Sequence, residues 1–170
     1  GAQVRISGNF NAASGSVEQL TINGTTSGVL GSGISYSYNA ATGVMTLTSA
    51  GNTATVAQWQ AALRAVQYSN SSDNPSTAAR TVSFTVNDGA GNSNTVTSTV
   101  NVSAVNDAPV LATGSTLAYT ENGAASAINT AITVADVDNA TQLSATVSVT
   151  GNFASGQDAL SFTNVPATMG

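Results

Sequence analysis

The chain contains no cysteine, no histidine and no lysine among its 170 residues. Without cysteine there is no disulfide, no thiolate nucleophile and no thiolate metal site. Without histidine the usual general base and the commonest transition-metal ligand are missing. Without lysine neither Schiff-base chemistry nor a Lys–Asn cross-link can form. The three basic residues, Arg5, Arg64 and Arg80, are scattered, and the formal net charge is -5. Nucleic-acid binding therefore has no electrostatic footing. No apolar run approaches the ~18 residues of a membrane span, so no membrane insertion is expected. No secretory leader is visible. Cysteine-free chains occur both in reducing compartments and on bacterial surfaces, so compartment has to be argued from other features.

Charged residues make up 6% and aromatics 5%, against 41% hydrophobic. A typical soluble domain is about one-quarter charged. Here Thr, Ser, Asn, Gly and Ala dominate, and polarity comes from uncharged groups. The length allows one large or two ordinary domains.

An internal repeat is present. Ala145-Thr-Val-Ser-Val-Thr-Gly-Asn-Phe153 matches Ala2-Gln-Val-Arg-Ile-Ser-Gly-Asn-Phe10, identical at five of nine positions, at an offset of 143 residues (145 against 2). After a three-residue slip, Leu160-Ser-Phe-Thr resembles Leu20-Thr-Ile-Asn. A chain that starts and ends mid-repeat, as a piece of a tandem array would, gives this pattern.

The body reads as strands. In Thr81–Asn87, Val82, Phe84 and Val86 share one face by strict alternation. Thr95–Ser103 places Val96, Val100 and Val102 together, after a turn at Asn87-Asp88-Gly89-Ala90-Gly91-Asn92. Ile34–Tyr38 and Val44–Thr48 flank the turn Asn39-Ala-Ala-Thr-Gly43. Leu117–Thr120, Ile128–Ala135 and Ala145–Thr150 continue the pattern. One short helix is expected near 56–64: Thr55 and Gln58 have capping-box spacing, and Trp59, Ala62, Leu63 and Val66 form an apolar stripe. Trp59 reads first as a core plug, with an exposed sugar-stacking platform as the alternative. Pro109 marks a boundary, because it lacks an N–H and forces Ala108 towards an extended conformation. The fold class is thus all-β: tandem Ig-like β-sandwich repeats with one short helix, divided as 1–104, a linker at 105–109, and a second repeat starting over 110–170.

Six of the eight carboxylates, Asp73, Asp88, Asp107, Glu121, Asp136 and Asp138, fall in turns or hinges. If residues 110–120 leave the linker and 128–135 return, Asn106, Asp107, Asp136 and Asp138 converge there. Asp73, in the 69–79 loop, belongs to the same end. Asp88 and Glu121 go to the outer ends, where neighbouring repeats would contribute. Converging carboxylates repel one another unless a cation joins them. A hard ion with six to eight oxygen ligands suits this set, and calcium fits flexible carboxylate-and-carbonyl ligands better than magnesium does. The competing reading is that Asp, Asn and Gly are simply turn formers, which for Asp88 is the stronger of the two. Paired acids also serve glycoside hydrolysis. These lie at domain ends with no aromatic cleft, so no enzyme is expected.

The same residues resemble a known family. Asn106-Asp107-Ala108-Pro109 resembles the inter-repeat linker of cadherin domains. Ala135-Asp136-Val137-Asp138 resembles their paired-Asp loop, and Glu121-Asn122-Gly123 their first-strand Glu. Asn39–Leu47 resembles the segment carrying their Thr-Gly turn, and Phe84–Gly89 their late Asp-Xaa-Gly region. The likeness covers most of the chain and is nearest to the cadherin-like tandem repeats of giant bacterial RTX-type adhesins exported by type I secretion. That resemblance implies a calcium-stiffened extracellular spacer at the bacterial cell surface, acting in cell adhesion and biofilm formation. Its partners would be neighbouring repeats of the same chain, and its export signal would lie at the far C-terminus of the whole protein. There are departures. Ala104 stands where the cadherin linker has an acid, the linker is one residue shorter, the acidic motif before the penultimate strands is reduced to Asp73, and the helix is additional. Fewer carboxylates imply one or two ions per linker rather than three. Two other readings remain: a self-assembling fibre or surface-layer subunit with homotypic strand-sharing contacts, and a sugar- or peptide-binding module of the adhesin.

Overall fold

A computed structural model describes residues 1–12 and 17–162. Residues 163–170, the end of the expected second repeat and of its Leu160–Thr163 match, lie outside the described residues. The chain divides into two compact units, Gly1–Asn106 and Asp107–Gly170.

The first unit is built from β1 (Ala2–Gly8), β2 (Glu18–Ile22), β3 (Ser27–Val29), β4 (Ile34–Asn39), β5 (Val44–Ser49), α1 (Val56–Arg64), β6 (Val66–Asn70), β7 (Arg80–Val86) and β8 (Val96–Val100). Six strands form one antiparallel sheet in the order β3-β4-β5-β1-β7-β8, while β2 and β6 pair separately. Period-two alternation decides the faces. In β1, Ala2, Val4 and Ile6 are buried while Gln3, Arg5 and Ser7 are exposed. Leu20 and Ile22 of β2 join Val4, Ile6, Ile34, Met45, Leu47 and Val82 in one apolar cluster. Burying each such side chain contributes ~1.5–3 kcal/mol. The result is an all-β, sandwich-like unit with a large and a small sheet sharing one core.

The helix starts as its sequence dictates. Thr55 Oγ1 accepts the Gln58 N–H at 3.3 Å, and Gln58 Oε1 accepts the Thr55 N–H at 2.8 Å, the reciprocal capping box. Ala62 is buried, and Trp59 and Leu63 pack half-buried against the core. Val66 is not part of this helical stripe. The helix ends at Arg64 and Val66 opens β6, where pairing with Ile22 overrides the helical period. Among the described residues no helix is long and apolar enough to cross a membrane.

Two glycines are fixed by close approach. Gly28 on β3 faces Tyr36, whose hydroxyl would lie 2.7 Å from an added Cβ. Gly43 has φ +68° and carries the Phe10 ring, 3.1 Å from where its Cβ would stand, so the Asn39–Gly43 turn requires glycine twice over.

The second unit holds β9 (Val110–Ala112) and β10 (Thr133–Ala135), antiparallel, with Val110 opposite Ala135 and Leu111 opposite Val134. The outgoing and returning strands expected here therefore form only in part. The strand expected over Ile128–Ala135 contracts to Thr133–Ala135, and Leu117–Thr120 and Ala145–Thr150 form no strand. The reason is visible in the other copy of the repeat. β1, the counterpart of 145–150, is held between β5 and β7, and residues 107–162 contain no matching pair of strands to flank it. Local alternation without a ladder on either side leaves backbone groups to water and no strand to propagate.

Candidate metal centre

The register of β9 and β10 positions this site. Because Val110 sits opposite Ala135, the residues just before β9 lie beside those just after β10. Pro109, which cannot donate to a ladder, stands where β9 begins. The Asp107 N–H accordingly donates to Asp138 Oδ2 at 2.5 Å. The linker and the paired-Asp loop, which the sequence separates by about 30 residues, meet at this bond.

Asp136 organises the loop itself. Its Oδ1 accepts the N–H groups of Asp138 at 3.0 Å and Asn139 at 2.8 Å, and its Oδ2 accepts from Gln142 Nε2 at 2.8 Å. The Gln142 bond, then those from the backbone, hold this carboxyl below the usual carboxylate range, so it is ionised at neutral pH. Asp107, Asp136 and Asp138 thus supply an all-oxygen donor set, chemically suited to a hard cation and not to a soft one. Among the described residues no group of three or more acidic side chains is gathered about a common point. An ion would therefore compete with Gln142 for Asp136 and with the Asp107 N–H for Asp138.

The other expected ligands are dispersed. Asn106 is the last residue of the first unit. Asp73 lies in the loop between β6 and β7, which enters β7 at Arg80, opposite Val100. Asp88 is at the other end of that hairpin, where its Oδ1 accepts the N–H groups of Ala90 and Gly91 at 2.9 and 3.0 Å. These two bonds hold its carboxyl below the ordinary value, as a turn-forming aspartate requires. Glu121 is exposed in the turn closed by the Gly123 N–H on the Thr120 carbonyl at 3.0 Å.

The sequence reading missed a buried acid. Glu18 is 1% and Arg80 2% exposed. Glu18 Oε1 accepts from Arg80 Nε and from the Tyr68 hydroxyl, each at 2.6 Å, and Oε2 accepts the Asn11 N–H at 3.2 Å. Arg80 Nη1 also donates to the carbonyls of Ser76 and Ala78, which ties the β6–β7 loop to the core. Burial pushes the Glu18 carboxyl up, but the bonds from Tyr68, Arg80 and Asn11 together with the Arg80 charge outweigh it and leave it below normal. Burial, followed by the Glu18 charge, pushes the Tyr38 hydroxyl up to about 12. The one signal in the sequence was Glu18 itself, a carboxylate at an inward-facing position of an alternating segment.

Comparison with protein-family models, with curated proteins and with solved structures finds no match for this chain.

Proposed function

We propose that this chain is a calcium-stiffened extender segment of a large bacterial surface adhesin, working outside the cell in adhesion and biofilm formation. The observation that carries the reading is the bond from the Asp107 N–H to the Asp138 carboxylate, which brings the linker onto the paired-Asp loop. Asp107, Asp136 and Asp138 would hold the ion, with Asn106 adding an amide oxygen. Bound calcium supplies a divalent charge that joins carboxylates which otherwise repel. The chain's own contribution is to keep Asp136 ionised and oriented through Gln142 and two backbone N–H groups. Fixing Asp107 fixes the chain at the boundary between the units, since Asn106 ends the first. Sites on extracellular modules bind calcium at ~10⁻⁴–10⁻³ M, so such a segment is loose in calcium-poor cytosol and stiff outside.

Small-angle scattering tests the stiffening. The reading requires the radius of gyration to change on adding millimolar calcium to the wild type, with a narrower spread of dimensions, and requires the change to vanish in Asp136→Ala. Identical profiles with calcium and with chelator would refute it. Trp59 packs half-buried on the core, so it gives the sugar-binding alternative no stacking platform.

A further inference from the structure

The second unit buries no large side chain of its own. Among its described residues, Val110, Leu111, Val134, Val147 and Phe153 are 62%, 66%, 58%, 73% and 57% exposed. Leu111 and Val134 stand opposite each other in the β9–β10 ladder and so share one face. A unit that covers none of its apolar surface cannot offset the entropy of ordering its chain.

The first unit has an opening of matching character. On the core face of β7, burial falls from Val82 at 4% to Val86 at 37%, and Val96 on β8, paired with Phe84, is 56% exposed. This strip lies beside the start of β1, since Ala2 pairs with Val86. A cavity of about 360 Å³ opens at the same place, between the ends of β5, β1 and β7, lined by Leu47, Val86, Asn87 and Asn92 among others.

The repeat says what belongs there. Residues 145–153 match β1 and its exit in sequence, and also in backbone: Asn9 and Asn152 both have φ 56°. In the second unit, β9 and β10 come just before this β1 counterpart, ten residues ahead of it (135 against 145). Ten residues reach at most ~36 Å. The place a β9–β10 pair takes ahead of β1 is therefore the neighbourhood of Ala2, where the open strip and the cavity are. Shifted by the 143-residue offset, β9 and β10 fall ahead of Gly1, so within this chain that sequence exists only in the second unit.

We propose that the β9–β10 pair of one molecule packs its Leu111–Val134 face on the open Val86–Val96 strip of a second copy. Each copy keeps one strip and one β9–β10 pair, so the contact is head to tail and extends into open chains. It requires no metal and stands apart from the calcium reading.

Sedimentation velocity over a concentration series tests it on the full chain, in chelator and in calcium alike. Wild type should grow in size with concentration. Val96→Glu and Val134→Glu should each weaken association by roughly tenfold or more, the scale of a lost interface anchor. Mixed together, the two variants should give heterodimers and nothing longer, because each retains one intact surface. A wild type that stays monomeric throughout, or single variants that associate as well as wild type, would overturn the proposal. A second measurement does not depend on how the glutamates are tolerated. In this cysteine-free chain, oxidising a mixture of Val96→Cys and Val134→Cys should yield mainly the mixed disulfide dimer. Homodimers in equal or greater amount, or no covalent dimer, would count against the contact.

Discussion

Arg80 Nε lies 2.6 Å from Glu18 Oε1 with both side chains almost completely buried, and this pair joins the small sheet to the large one. Removing one partner leaves a charge without solvent or counter-ion. Arg80→Met should therefore cost about 3–5 kcal/mol. Replacing both, as Glu18→Leu with Arg80→Met, should cost less than the Arg80 change alone, because no buried charge remains. Urea denaturation of the three chains decides this. A double variant as weak as the sum of its parts would show that the pair acts as two independent contacts.

The same cluster sets the pH limits of the first unit. Glu18 titrates lower in the fold than its ordinary value of 4.5, so its stabilisation is complete above that value and is lost as pH falls through the lower folded one. Tyr38 runs the other way. Its folded value, about 12, stands above the ordinary 10.0, so its contribution is complete below 10 and is lost as pH rises towards 12. Tyr68 is raised as well, by burial and then by its bond to Glu18. Denaturation midpoints should be flat between about pH 5 and 9 and fall on both sides. Tyr38→Phe should move the alkaline limb, and an unchanged limb in that variant would assign the alkaline loss elsewhere.

Helix α1 rests on its cap. Thr55→Ala removes the oxygen that accepts the Gln58 N–H and should lower stability by ~1 kcal/mol, while Thr55→Ser should stay close to wild type. Thermal melts of the two variants give the comparison, and equal losses would mean that the hydroxyl is not what holds the helix start.

Gly28 should tolerate no side chain. A Cβ there meets the Tyr36 hydroxyl at 2.7 Å, and that hydroxyl already bonds Thr25 at 2.6 Å and the Ile22 carbonyl at 3.1 Å. Gly28→Ala should cost ~1–3 kcal/mol. In a Tyr36→Phe background the added cost should shrink, and an undiminished cost would place the strain in the backbone of β3.

What the sequence revealed was local. The Thr55–Gln58 box, the Asn39–Gly43 turn and the alternation of Val82, Phe84 and Val86 each depend on neighbours within a few residues, and all appear as expected. The meeting of Asp107 with Asp138 was legible because one antiparallel pair is enough to produce it. The Glu18–Arg80 pair was not, because it spans 62 positions and no local period encodes a partner so far away. β6 was hidden because Val66 also continued the helical stripe, and pairing with β2 decided between the two. The strands expected at Leu117–Thr120 and Ala145–Thr150 failed for the opposite reason. Their alternation is genuine, but a strand exists only with a neighbour, and the second unit has none for them.

The most direct test of the calcium reading is thermal unfolding in millimolar calcium against chelator, for wild type and Asp136→Ala. Calcium at ~100 times its dissociation constant adds about 2.7 kcal/mol to the state that binds it. The account predicts a transition several degrees higher in calcium for the wild type and no shift in the variant. Superimposable wild-type transitions would make Asp107, Asp136 and Asp138 ordinary turn residues and contradict it.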